Sequence, residues 1–195
     1  MPHDKRTFFR AFLRSPQVVA SVIPSSSFVE RRVVHAADVT RAGVAVELGG
    51  GVGGITRSLL HTMGPQARLL VMERTDRFVE VLKRIDDSRL EIVHGCASTI
   101  VAQLARRNLP AADAVVSGIP FSTMPNALGA EIIAAVYDAL APGGRFVAYQ
   151  LSDRVVRYAR PLLGEPAIEY EFRNVPPLRV FTWQKAGGLR KTNGL

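Results

Sequence analysis

The chain has 195 residues, of which 47% are hydrophobic and 22% charged, with 25 Lys and Arg against 17 Asp and Glu. That apolar content fills one core and the length is too short for two ordinary domains, so global disorder is excluded. Cys96 is the one cysteine, which excludes a disulfide scaffold.

The net charge of +8 is unevenly placed. Residues 1–41 carry seven basic and three acidic side chains, residues 151–195 carry eight and four, and the 109 residues between them carry ten of each. Basic flanks around a neutral middle suit an anionic partner, either nucleic acid or lipid head groups, or else serve solubility. Apolar runs such as 132–137 fall far short of the roughly 20 residues that span a bilayer. The run 18–23, broken by Ser21 and closed by Pro24, is short for a signal sequence, and a cytoplasmic protein is expected.

In chain order, the first element is an amphipathic helix. Phe8, Phe9, Phe12 and Leu13 gather on one side of it, while Lys5, Arg6, Arg10 and Arg14 supply the basic side. A basic face opposite aromatic residues suits an interfacial helix on anionic lipid; the alternative is a lid whose phenylalanines cap the core. A second helix is expected to start at a capping box of Ser27 with Glu30. From residue 44, short β-branched runs alternate with helical patterns: strands at 44–48, 69–73, 90–94, 114–117 and 145–150, and helices at 54–63, 76–85, 98–107, 128–140 and 153–163. In the helix at 76–85, Phe78, Val81, Leu82 and Ile85 share a face, and Pro142-Gly143-Gly144 reads as a turn. The segments 168–175 and 178–185 are joined only by Pro176-Pro177, too tight for a helical crossover, so they pair antiparallel. The layout is α/β, a Rossmann-like sheet of seven strands with helices on both faces. It resembles the class I methyltransferase sheet, which is mostly parallel with an antiparallel terminal hairpin. The division expected is 1–41 for the amphipathic and lid helices and 42–195 for the cofactor-binding domain.

The segment Glu47-Leu48-Gly49-Gly50-Gly51-Val52-Gly53-Gly54 lies between a strand and a helix, where a close ligand approach needs residues without Cβ. Its spacing also satisfies G-x-G-x-x-G, so a dinucleotide site stays open as an alternative. Glu47, two residues before the first glycine, suits a cationic ligand better than a pyrophosphate. Glu73 ends the second strand, where a carboxylate accepts hydrogen bonds from ribose hydroxyls. His3, His35, His61 and His94 have no metal-ligand spacing, and no metal is expected.

Taken together, F-x-R-x-F-L-R from Phe8, V-x-P-S-S from Val22, E-L-G-G-G-V-G from Glu47, S-G-I-P-F from Ser117, L-x-P-G-G-R-F-V from Leu140 and N-x-P-P-x-x-V from Asn174 resemble the short bacterial phospholipid N-methyltransferases. That family converts phosphatidylethanolamine toward phosphatidylcholine and is related to ribosomal RNA adenine dimethylases. The resemblance runs from about Phe8 to Lys185. It implies S-adenosylmethionine as cofactor, held by Ser25, Glu47, Gly49, Gly51, Gly53, Glu73, Arg74, Cys96, Ala97, Ser117 and Gly118. It also implies amine contacts from Ser117, Ile119, Pro120 and Tyr149, with Phe121 as a cation-π wall and Arg179 on the lipid phosphate. Tyr149 as core packing is the competing reading.

Two positions depart from the related patterns. Cys96 stands where an Asp usually receives the adenine amino group, and Gly118 stands where nucleobase-modifying relatives carry Asn or Asp. Cys is a poor acceptor, and the missing Asn disfavours a nucleobase acceptor and hence nucleic acid. The expected partners are an anionic membrane surface and an amine-headgroup phospholipid, met at the inner face of the membrane. An RNA adenine N6-methyltransferase and a noncatalytic cofactor- or lipid-binding module are the alternatives.

Overall fold

Val44–Leu48 (β1) is a run of five residues, all buried, as expected of a strand covered by helices on both faces. In this computed structural model, which describes residues 26–187, β1 pairs in parallel with Arg68–Glu73 (β2) on one side and Ala112–Ser117 (β4) on the other. Leu90–His94 (β3) and Leu140–Gln150 (β5) extend the parallel sheet, and Ala167–Glu171 (β6) and Leu178–Gln184 (β7) complete it as the order β3-β2-β1-β4-β5-β7-β6. β7 is inserted antiparallel between β5 and β6.

Ser27–Ala37 (α1), Gly54–Thr62 (α2) and Asp76–Leu82 (α3) cover one face of the sheet. Ile100–Arg106 (α4), Asn126–Ala139 (α5) and Arg154–Leu163 (α6) cover the other. Val29 and Val33 of α1 are fully buried in the same cluster as Ala45 of β1 and Val147 of β5. Each such burial is worth about 1.5–3 kcal/mol, so α1 is fastened to the sheet by packing. On the opposite face Trp183 stacks on Phe146 at 5.2 Å, and its indole N–H donates to Gly164 O at 3.0 Å.

Several local expectations are corrected. The cap of α1 is Ser26, whose Oγ accepts from Val29 N at 3.4 Å, while Glu30 reaches across to accept from Ser58 Oγ at 3.1 Å. The helix expected at 76–85 ends at Leu82, and Val79 rather than Phe78 takes the buried position beside Leu82. The helix expected from residue 98 is preceded by a 3-10 turn, Ala97–Thr99. Pro142-Gly143-Gly144 lies inside β5: the pairing steps from Ala112↔Leu140 to Ala114↔Arg145, so the extra residues form a bulge. Strand β6 stops at Glu171, because Glu171 turns inward to take the Arg173 backbone N–H and guanidinium as well as Arg32. The Arg173 hydrogen bond, opposed by burial and helped by Arg32, holds the Glu171 carboxyl down to about 2. Arg32 also pairs with Glu169, tying α1 to the edge strand.

Candidate active site

The strand order reverses between β1 and β4, and the loops after their carboxyl ends diverge to leave a crevice. There the structure has a cavity of about 740 Å³. One half is lined by the glycine loop (Gly49, Gly50, Gly51), by Glu73, Arg74, Thr75 and Asp76 after β2, and by Cys96 and Ala97 after β3. The rest of the lining is mostly apolar, with Ile119 and Pro120 after β4, Met124 just before α5, Leu128 and Ile132 of α5, Phe78 of α3, and Tyr149 of β5.

The polar half is built around Glu73. Its Oε2 accepts from Gly51 N at 3.0 Å, and its Oε1 accepts from Arg74 N at 2.8 Å and Thr75 N at 2.9 Å. These bonds use three of the roughly four acceptor positions of a carboxylate and fix the glycine loop relative to the end of β2. Gly51 has φ +52, and a Cβ there would meet no atom within 4 Å, so the loop is a concave shelf open to a ligand. Ser98 Oγ donates to Cys96 Sγ at 3.4 Å, which keeps the cysteine beside the cavity wall without supplying a carboxylate.

The acceptor half depends on one close approach. A Cβ on Gly118 would lie 2.2 Å from Tyr149 Oη and 2.7 Å from Cζ, so the absent side chain is what lets the tyrosine ring lie across the end of β4. Ile119 O accepts from Gln150 Nε2 at 2.8 Å and keeps one lone pair. Pro120 O accepts from both Thr123 N at 3.1 Å and Thr123 Oγ1 at 3.0 Å. Its acceptor capacity is filled, so the expected amine contact through that carbonyl is not available.

Other expectations are corrected by burial. Glu47 does not line the cavity: it is fully buried below the glycine loop, where Thr56 Oγ1 donates to its Oε2 at 2.6 Å and its Oε1 has no partner among the described residues. Burial pushes its carboxyl up to about 7, with the Thr56 bond pulling down and the Glu73 charge pushing further up. Gly53 also lies outside the lining and opens α2 with φ +82. Ser117 is fully buried and accepts from Ile119 N at 3.4 Å, which leaves its hydroxyl inside the sheet. Phe121 is fully buried against Tyr158, 6.2 Å between centroids, and is no wall of the cavity. Arg179 lies on β7, outside the lining, with Asp153 at 4.0 Å.

Gly49, Gly51, Glu73, Arg74, Cys96, Ala97, Gly118, Ile119, Pro120 and Tyr149 are thus brought to one cavity. Ser25 and the amphipathic set Lys5, Arg6, Phe8, Phe9, Arg10, Phe12, Leu13 and Arg14 lie outside the described residues. Sequence reasoning missed Phe78, Met124, Leu128 and Ile132 as lining; the signal was available, since Leu128 and Ile132 are one helical turn apart on α5. Among the described residues no three His, Cys, Asp or Glu side chains gather as a metal-ligating group, and no helix is long and apolar enough to cross a membrane.

A seven-stranded sheet with its last strand inserted antiparallel, and a cavity at the reversal point bounded by a glycine loop and a strand-end carboxylate, defines a class I S-adenosylmethionine-dependent methyltransferase. No family model matches the chain. Among solved structures, the fold is similar to a putative O-methyltransferase from Klebsiella pneumoniae, with TM-score 0.66 and 14% identity over 96% of this chain and 92% of that one. It is also similar to the 1,6-didemethyltoxoflavin-N1-methyltransferase of Burkholderia thailandensis, solved with S-adenosylhomocysteine, with TM-score 0.61 and 15% identity over 95% of this chain and 91% of that one. The sequence is 31% identical over 173 residues to the ornithine lipid N-methyltransferase of Singulisphaera acidiphila, spanning 87% of this chain and 90% of that protein. The chain belongs to the family of that lipid N-methyltransferase.

Proposed function

We propose that this protein transfers a methyl group from S-adenosylmethionine to the primary amine of a membrane-lipid headgroup, phosphatidylethanolamine or an ornithine lipid, at the cytoplasmic surface of an anionic membrane. The carrying observation is the relationship to a lipid N-methyltransferase over almost the whole of both chains. The cavity supports it, with a polar half for a nucleoside and amino acid and an adjoining apolar half for the acceptor. The sequence supports a lipid over RNA at Gly118, which leaves no side-chain acceptor to orient a planar adenine amine.

The residues present fit the cofactor. The open shelf at Gly51 accommodates the close approach of a ligand, and Glu73, with one acceptor position left, would take a ribose hydroxyl. Gly49, Arg74, Cys96 and Ala97 would complete the polar half. When bound, S-adenosylmethionine supplies a sulfonium-activated methyl carbon. The protein's own contribution is alignment and exclusion of water. Ile119, Pro120, Met124 and Leu128 supply an apolar wall, in which a headgroup ammonium, with a Lys-like pKa of about 10.4, sheds its proton more easily than in water. The remaining lone pair of Ile119 O and the Tyr149 hydroxyl are the groups that orient the neutral amine.

Purified protein with radiolabelled S-adenosylmethionine is offered phosphatidylethanolamine in anionic liposomes, ornithine lipid in the same liposomes, and unmodified ribosomal RNA. Label is expected in chloroform-extractable lipid. Label in RNA alone would refute the lipid reading, and label in none would make the protein a cofactor- or lipid-binding module.

A further inference from the structure

The four most exposed large apolar side chains among the described residues all lie in the β6–β7 hairpin: Phe172 at 74%, Val175 at 60%, Tyr170 at 50% and Ile168 at 47%. Tyr170 and Phe172 stack with centroids 5.8 Å apart, so they form one surface. An apolar surface gathered in one place on a water-facing edge marks a binding face more than a packing fault.

Its position in the fold is specific. Because β7 runs antiparallel to β5, Arg179 stands opposite Gln150, and Leu178 stands opposite Glu171. The connecting residues 172–177 therefore project past the carboxyl ends of the parallel strands, the edge on which Ile119, Pro120 and Tyr149 line the cavity. Arginines surround this turn. The Arg173 guanidinium lies 4.1 Å over the Phe28 ring and Arg31 lies 5.1 Å over the same ring. Arg32 holds Glu169 and Glu171, and Arg179 is the cross-strand neighbour of Tyr170. These four arginines outnumber the three carboxylates that meet them, Asp153, Glu169 and Glu171. Ser26, the first described residue, is tied to this turn, its N–H donating to Asn174 Oδ1 at 3.4 Å.

We propose that the tip of the β6–β7 hairpin is a membrane-docking element: Phe172 and Val175 enter the headgroup–acyl boundary of an anionic bilayer while Arg31, Arg173 and Arg179 meet its phosphates. Aromatic side chains with an arginine fringe suit that boundary, where an apolar body and a charged rim are both solvated. The inference rests on the reading of the acceptor as a membrane lipid. It adds how the cavity reaches that lipid: docking by the tip turns the carboxyl edge of the sheet, and with it the apolar half of the cavity, toward the bilayer. It is also independent of the basic residues between Lys5 and Arg14, because the hairpin presents its own apolar and cationic groups.

The test uses the full chain and vesicles of phosphatidylglycerol with phosphatidylethanolamine. The Phe172→Ser/Val175→Ser variant is expected to sediment with vesicles at least fivefold more weakly than the parent and to methylate vesicle lipid correspondingly more slowly. Its binding of S-adenosylmethionine and its methylation of dihexanoylphosphatidylethanolamine, monomeric in water, are expected to match the parent, which separates lost docking from lost folding. In a Phe172→Trp variant, brominated acyl chains are expected to quench fluorescence above the background of the buried Trp183. Unaltered sedimentation of the double variant, or an indole shielded equally with and without vesicles because residues 1–25 cover it, would overturn the proposal. Sedimentation and quenching as expected, with no lipid methylated in either form, would refute the lipid-methylating reading and leave the docking surface standing.

Discussion

Thr56 Oγ1 donates a 2.6 Å hydrogen bond to Glu47 Oε2 beneath the glycine loop, and the second oxygen of that carboxyl is buried with no partner among the described residues. Burial pushes the Glu47 carboxyl from 4.5 up to about 7. A folded value above the unfolded one means that the associated stability is fully present below the unfolded pKa and is lost as pH rises through the folded one. The ligand-free protein should therefore lose stability from this group between pH 4.5 and 7, on the order of 3 kcal/mol. Glu47→Gln removes the titration. Melting temperatures from pH 5 to pH 8 should fall more steeply for the parent than for the variant, and parallel curves would contradict this account.

Gly118 and Tyr149 form a second coupled pair. Gly118→Ala places a methyl group where Tyr149 Oη and Cζ now lie, and the ring must move. Such overpacking costs about 1–3 kcal/mol of stability. Methyl transfer should fall at least tenfold with little change in S-adenosylmethionine affinity, because the displaced ring belongs to the acceptor half. Adding Tyr149→Val should recover the lost stability but not the activity, a non-additivity that a double-mutant cycle reads directly.

On the polar side, Cys96→Asp should bind S-adenosylmethionine as tightly as the parent or more tightly, since it adds an acceptor at a position that already lines the cavity. Glu73→Ala should weaken binding at least tenfold in titration calorimetry, because it removes the acceptor that also anchors Gly51, Arg74 and Thr75. A clear loss of affinity in Cys96→Asp would mean that the adenine end is built around the thiol itself.

Asn174, 4% exposed, accepts from Ser26 N and donates through Nδ2 to Pro176 O at 2.8 Å. Asn174→Ala leaves both partners unsatisfied at a part-buried site and should cost about 1–3 kcal/mol. Chemical denaturation should show a lower midpoint with an unchanged slope. An unchanged midpoint would show that water replaces the amide without loss.

The parallel core was legible because each of its strands is a short apolar run bounded by turn residues, and β1 and β3 have the boundaries that the pattern predicts. The site was partly legible. Gly49, Gly51, Glu73 and Cys96 could be placed from their positions at strand ends, since in a parallel sheet every strand end faces the same edge. Whether a residue at that edge points into the cavity or into the core depends on the pleat and on what packs behind it, which no motif states. Glu47, Ser117 and Phe121 carry the right chemistry in the right segment and are nonetheless buried, whereas Phe78, read as a helix-face residue, and Leu128, at the start of the helix expected at 128–140, line the cavity.

The sequence by itself determined the class of sheet, the glycine loop and the division of charge, because these follow from local periodicity, missing side chains and simple counting. Only the tertiary structure decided that the Pro176-Pro177 hairpin carries the most exposed large apolar side chains among the described residues to the edge where the cavity opens. That outcome follows from β7 running antiparallel beside β5: reversing one strand puts the turn that leads into it at the carboxyl end of its neighbour, a consequence of pairing between residues far apart in the chain.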